Sequence, residues 1–153
     1  MTLKINSKAP SFEIPATSVG KYSLKNSIGK YLVLYFYPKD DTPGCTLETK
    51  DFNSLLSRFK KHDCSIFGIS KDDLKSHLKF KKKYSVKFEL LADIKKEAIK
   101  AYKVWGKKKF MGMEFTGIIR STFLIKDKKI VKEWKSVRVK GHAQEVLDFI
   151  ENY

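Results

Sequence analysis

Residues 31–37 read YLVLYFY, an unbroken apolar and aromatic run halted by Pro38, which predicts a central strand buried on both faces, as in parallel sheets. From Thr46 the spacing becomes helical. Leu47, Phe52, Leu55, Leu56 and Phe59 fall near one face, predicting a continuous helix over 44–61. CSIFGIS at 64–70 supplies the next buried strand, so the three form a strand, helix, strand unit with a right-handed crossover. The pattern recurs in DDLKSHLKFKKKYSV, a helix whose lysines snorkel over its solvent face, then the short strand FELLAD and a helix over KKEAIKAYKV. GIIRSTFLI and KIVKEWKSV, joined by KDK, predict a β-hairpin, and AQEVLDFIENY closes the chain as an amphipathic helix. Ahead of all these, SFEIPA and KYSL flank TSVG as an N-terminal hairpin or two edge strands. No linker or repeat divides the chain. The expected architecture is one α/β domain over 1–153, its central mixed β-sheet flanked by helices and extended by the N-terminal β-hairpin.

Composition narrows the class. A chain of 153 residues buries roughly two-thirds of the surface that its unfolded form exposes, so it can hold a core without covalent staples. No apolar run approaches the roughly 20 residues that span a bilayer, and MTLKINSKAPSF lacks the apolar segment of a signal peptide. A cytoplasmic location is expected. The net charge of +15 would suit a nucleic acid or an acidic membrane, but the residue types argue otherwise. Of 32 basic residues only Arg58, Arg120 and Arg138 are arginines, leaving 29 lysines scattered along the chain. Specific readers of bases and phosphates favour arginine's bidentate fork, so neither a specific nucleic acid nor a membrane is expected as a partner. Each arginine, conversely, calls for a reason.

Cys45 and Cys64 are too few for a disulfide scaffold, and with His62, His77 and His142 they form no zinc-ligand spacing, so no metal is expected. Phosphate-cradling glycine loops, paired-histidine metal motifs and serine nucleophile elbows are absent as well. That leaves Cys45. In an open α/β sheet, reactive groups gather beyond the carboxyl ends of the strands, and Cys45 follows the polar loop PKDDTPG at such an end. Pro43 suits a helix start, Gly44 permits close backbone approach, and the first-turn position of Cys45 favours a thiolate through the helix dipole and unbonded N–H groups. A free cysteine is most often a small buried hydrophobe. Here the polar loop and helix start weigh toward reactivity.

The segment YFYPKDDTPGCTLE resembles closely the active-site segment of the peroxiredoxins, specifically the bacterioferritin-comigratory-protein or PrxQ subfamily, with its proline, threonine and cysteine at Pro38, Thr42 and Cys45. The similarity runs on through SVKFELLAD, KVWGKKKFMG and GIIRSTFLI, nearly the whole chain from APSFEIP onward. It implies a thioredoxin-like fold and a thiol-dependent peroxidase that reduces hydrogen peroxide and organic hydroperoxides without metal or organic cofactor. By the same resemblance Cys45 is the peroxidatic nucleophile, Pro38 shields it, Thr42 engages thiolate and peroxide, and Arg120 in IIRST completes the site. Arginine in so lysine-rich a chain agrees with a planar, permanently charged fork beside a thiolate, although a surface hairpin charge is the plainer reading of Arg120. Glu48 corresponds to a glutamate that orients the arginine; an exposed acid near a helix N-terminus is the alternative.

One element of the family pattern is missing. Lys50 stands where many members carry a resolving cysteine, and none occurs in 71–85. Cys64 is the remaining candidate, but a continuous helix would put it roughly 25 Å from Cys45, against the about 7 Å that a disulfide tolerates, so it is expected to be structural. The resemblance then implies a monomer reduced by an external thiol, either thioredoxin-like or of low molecular weight. Two further alternatives are a peroxidase resolved by Cys64 and a thioredoxin-like thiol-disulfide protein, though Thr42 occupies the place of the latter's first cysteine. A basic nucleic-acid adaptor is a third. His77 is expected at solvent or a helix edge, and Trp105 and Phe110 in the core or a pocket wall.

Overall fold

A computed structural model describes residues 3–18, 20–26 and 31–153, with the side chains of Asn26 and Phe110 outside the description. The apolar run forms strand β3 (Tyr31–Phe36), buried along its whole length. It lies parallel to β4 (Cys64–Ser70) and antiparallel to β8 (Ser121–Lys126), the arrangement of an interior strand. Beyond β4 follow β5 (Glu89–Ala92) and the N-terminal hairpin of β1 (Glu13–Ala16) and β2 (Gly20–Ser23); beyond β8 lies β9 (Lys129–Lys135). The sheet order is β2-β1-β5-β4-β3-β8-β9. The parallel pairs are β3 with β4 and β4 with β5, and antiparallel hairpins finish both edges. Asp127 and Lys128 join β8 to β9 with φ of 52° and 63°, the doubly left-handed conformation of a two-residue hairpin turn.

Alternation along β3 divides the core in two, since successive side chains leave a strand on opposite faces. Leu32, Leu34 and Phe36 join Phe12, Ile14, Tyr102 and Phe123 on one face. Val33, Tyr35 and Tyr37 join Phe52, Phe59, Phe80 and Leu147 on the other. The second face is covered by α1 (Pro43–Ser54), α2 (Leu56–Lys60), α3 (Leu74–Lys83) and α5 (His142–Glu151), while α4 (Glu97–Ala101) packs on the first. Asp73 caps α3 by accepting from the Ser76 N–H at 2.8 Å, and Lys81, Lys82 and Lys83 complement the negative end of its dipole.

Three sequence expectations are corrected. The helix predicted over 44–61 is broken at Leu55, where ψ of 2° interrupts the helical run between α1 and α2. Leu47, assigned to its apolar face, is exposed; four residues later Asp51 lies on the same flank, so that flank is polar. Finally, GIIRSTFLI is not one strand. Its first residues end β7 (Met113–Ile118), which pairs with β6 (Trp105–Phe110) in a separate two-stranded sheet, and Ile119 and Arg120 form the link to β8. The broken helix alters the basis for judging Cys64 but not the outcome. Cys64 pairs with Tyr31 at the start of β3, whereas Cys45 lies past its other end, a strand length of roughly 17 Å or more at about 3.3 Å per residue.

Candidate active site

Helix α1 begins with Thr42 as N-cap, in extended conformation, and Pro43 within the first turn. The Thr42 hydroxyl does not cap the helix. It donates instead to the Lys39 carbonyl at 2.8 Å, which tightens the loop before the helix. The first-turn N–H groups, which no helical carbonyl can reach, are therefore not served by the capping side chain. Cys45 sits in this turn and is 1% exposed. Pro38, half-buried, follows Tyr37, whose N–H donates to the Ile69 carbonyl at 3.0 Å and fixes where the loop leaves the sheet.

Arg120 reaches this turn from the start of the adjoining strand, β8. Because Ser121 is in register with Phe36, Arg120 stands just past the carboxyl end of β3, and its carbonyl accepts from the Val137 N–H at 3.0 Å. Its guanidinium forks. Nη1 donates to Glu48 Oε1 at 2.7 Å and Nη2 donates to Cys45 Sγ at 3.4 Å. One permanently charged group thus bridges a carboxyl and a sulfur three residues apart on the same helix. Gly44 is what leaves space for it: a Cβ there would stand 3.2 Å from Nη2 and 3.9 Å from Val139 Cγ2.

Glu48 is 1% exposed, and its second oxygen is buried without a hydrogen-bond partner among the described residues. Burial pushes its carboxyl up to about 7, against the opposing attraction of Arg120. Burial also works against charge on Arg120, but the attraction of Glu48 and Cys45 outweighs it and raises the guanidinium further. The exposed-acid alternative for Glu48 and the surface-charge reading of Arg120 are both incompatible with this geometry.

A second buried network, invisible in the spacing of the sequence, anchors the loop. Asp40 Oδ1 accepts from the Tyr37 hydroxyl at 2.6 Å; Oδ2 accepts from Ser76 Oγ at 2.7 Å and lies 2.7 Å from His77 Nδ1. The Asp40 N–H donates to Asp72 Oδ2 at 2.9 Å. His77 is fully buried, which corrects its expected place at solvent or a helix edge. Its Nε2 lies 2.9 Å from the Leu91 carbonyl, an acceptor only, so Nε2 carries a proton. The Nδ1 contact to Asp40 holds the ring at its other nitrogen.

Trp105 is half-buried against the core, with Lys96 Nζ 4.4 Å from its ring centroid, in keeping with its expected core or wall position; the Phe110 side chain lies outside the described residues. Cys64 is 3% exposed, and burial pushes its thiol up to about 12, with the Val33 backbone acting weakly in the other direction. Lys50, at the place of the missing resolving cysteine, is exposed 5.8 Å from the Tyr84 ring centroid. Among the described residues no helix is long and apolar enough to cross a membrane.

The AhpC/TSA family model matches residues 5–134. Peroxiredoxin Bcp of Bacillus subtilis is 44% identical over 99% of this chain and 98% of its own. A putative peroxiredoxin Bcp of Helicobacter pylori is 45% identical over 95% and 97%. Among solved structures, a cysteine-to-serine mutant of Xylella fastidiosa PrxQ superposes with a TM-score of 0.92 at 34% identity, covering 99% of this chain and 98% of that one. The Xanthomonas campestris bacterioferritin comigratory protein, solved as trapped intermediate and ligand complexes in a study of alkyl peroxide reduction, gives 0.86 at 38% identity over 92% and 90%.

Proposed function

The chain belongs to the AhpC/TSA family and is a thioredoxin-like peroxiredoxin, a thiol-dependent peroxidase, and from that premise we propose that Cys45 is its peroxidatic nucleophile, with Arg120, Thr42 and the first-turn amides of α1 as its partners. The observation that carries this reading is the fork of Arg120, which supplies one donor to Cys45 Sγ and one to Glu48 Oε1. The planar guanidinium, with two nitrogens fixed in one fork, holds the sulfur and the carboxyl at once.

The step is a displacement on the peroxide O–O bond. The Cys45 thiol gives up its proton, the thiolate attacks one oxygen, a sulfur–oxygen bond forms as the O–O bond breaks, and the leaving oxygen takes up one proton, equivalent to the one the thiol released, to depart as water or an alcohol. The sulfur is oxidised to sulfenic acid and the peroxide is reduced. Arg120 and the amides stabilise charge on the peroxide oxygens as the bond lengthens, already oriented before reaction. Thr42, once turned from the Lys39 carbonyl, can donate to the same oxygens. Pro38 limits water at the loop. Glu48 acts through Arg120 and is a positioning residue. Oxidising equivalents enter as peroxide and leave through thiol, so the reaction calls on no cofactor.

Hydrogen peroxide and alkyl hydroperoxides are the substrates of this reading, and a thioredoxin-like protein or low-molecular-weight thiol the reductant. An external thiol attacks the sulfenic sulfur with release of water, and a second thiol frees Cys45 from the mixed disulfide. The position of Cys64 at the far end of β3, buried and with its thiol raised, supports an external reductant over an internal one. A monomer suffices, because every residue invoked comes from one chain. Arg120→Lys keeps the charge but loses the fork. It should cut turnover of peroxide by roughly 10²–10³, and turnover within threefold of wild type would contradict the assignment.

A further inference from the structure

The β6–β7 hairpin carries an exposed apolar end on which the proposed peroxide step does not call, although Lys108 in its middle lies near enough to feel the charges of Arg120 and Cys45. Its base is buried, through Ile118 and half-buried Trp105, but its far end is not: Met111 is 87% exposed, Met113 72% and Phe115 47%. The other exposed large apolar residues, such as Ile5, Leu78 and Ile94, are scattered singly, as on most proteins. Here three fall within five residues at the end of a two-stranded sheet that stands outside the main one. Met111 and Gly112, with φ of 53° and 79°, form the two-residue turn, so the methionine is the outermost point of the hairpin.

Register places the charges. Met113 and Phe115 share a face with Lys108, which pairs with Phe115 and holds its Nζ 5.8 Å from that ring. Lys107 and Lys109 project from the opposite face, both exposed. Against these three lysines the hairpin carries a single carboxylate, Glu114, 3.7 Å from Lys107. An apolar end collared by lysines suits neither bulk water nor a nucleic acid, for which methionines add nothing. It suits an interface with hydrocarbon beyond and anionic headgroups at the level of the lysines.

We propose that the β6–β7 hairpin docks the protein on anionic lipid surfaces, with Met111 and Met113 entering the acyl boundary and Lys107 and Lys109 meeting the headgroups. The scatter of lysines along the sequence argues against a membrane partner; Lys107, Lys108 and Lys109, consecutive in the chain, are the exception, and the hairpin sets them beside an exposed apolar end. β7 leads within two residues to Arg120, which therefore lies at the base of the hairpin, a six-residue strand or roughly 17 Å from the docking end.

The test is co-sedimentation of the full chain with phosphatidylcholine vesicles, with and without phosphatidylglycerol. The proposal expects binding only to the anionic vesicles, weakened by salt. Lys107→Gln with Lys109→Gln should reduce it about 25-fold, at roughly fivefold per lysine. Met111→Ser with Met113→Ser should reduce it at least as much, with soluble peroxide turnover at the wild-type rate as the sign that the fold is intact. No binding to anionic vesicles, or binding indifferent to the methionines, would overturn it. So would a methionine effect seen only as lost self-association without vesicles, which would make a second copy the partner, or lysine-dependent retention on RNA with no vesicle binding. Vesicle binding is read without peroxide, so its outcome is separate from that of the peroxidase assignment.

Discussion

Glu48 is the residue whose environment does most to define the site's response to pH. Its carboxyl is raised from an ordinary 4.5 to about 7 by burial, with Arg120 opposing, so the folded protein holds a proton that the unfolded chain has already released. Stability from this group is full below about pH 4.5 and declines as pH rises toward 7, by on the order of 2–3 kcal/mol. Glu48→Gln keeps an oxygen for Arg120 and removes the titration. Urea unfolding across pH 4.5–7 should therefore show a shallower fall in stability for this variant than for wild type; an unchanged slope would mean that Glu48 titrates normally. Gly44→Ala probes the same fork sterically, since the added methyl would meet Nη2 at 3.2 Å. Arg120 would have to shift from Cys45, and peroxide turnover should fall roughly tenfold or more with little loss of secondary structure. Cys45 was singled out by the polar PKDDTPGC loop and the helix start, whereas Thr42 and Arg120 entered through the family resemblance, with which an arginine among lysines agrees. Glu48 was half-legible: its spacing from Cys45 was plain, but its burial depends on β8, far along the chain.

At the scale of elements, the strands were read well where burial on both faces makes the run continuous, as in β3 and β4, whose bounds the apolar residues mark almost exactly. The break at Leu55 left no such mark, because no proline or glycine causes it. The β6–β7 hairpin escaped notice for the opposite reason: its side chains do not alternate apolar with polar, since most of its surface meets solvent. The Asp40 to His77 network was equally hidden, joining residues 37 positions apart. It ties the loop ahead of Cys45 to α3 and β5, and replacing His77 removes a 2.7 Å contact of a buried carboxyl. His77→Leu should destabilise the protein by about 3–5 kcal/mol, seen as a melting temperature lower by roughly 6–15 °C at this chain length. A loss below about 1 kcal/mol would mean that the loop is held by other contacts.

For the whole molecule, the sheet separates its two cysteines by distance and by surroundings. Cys45 lies at the carboxyl end of β3 beside Arg120, and Cys64 at the opposite end, buried in the core with its thiol pushed up to about 12. Cys64→Ser should retain peroxide turnover within about twofold and lose only modest packing stability. The central claim is that Cys45 is oxidised by peroxide to a sulfenic acid that no cysteine of the same chain resolves. It is tested most directly by treating the reduced protein with stoichiometric hydrogen peroxide, trapping with a sulfenic-acid reagent, and reading the intact mass and the modified residue beside Cys45→Ser. A single adduct on Cys45, absent from the variant, is the predicted result. A product lighter by two hydrogens with Cys45 joined to Cys64, or no adduct at Cys45, would contradict it.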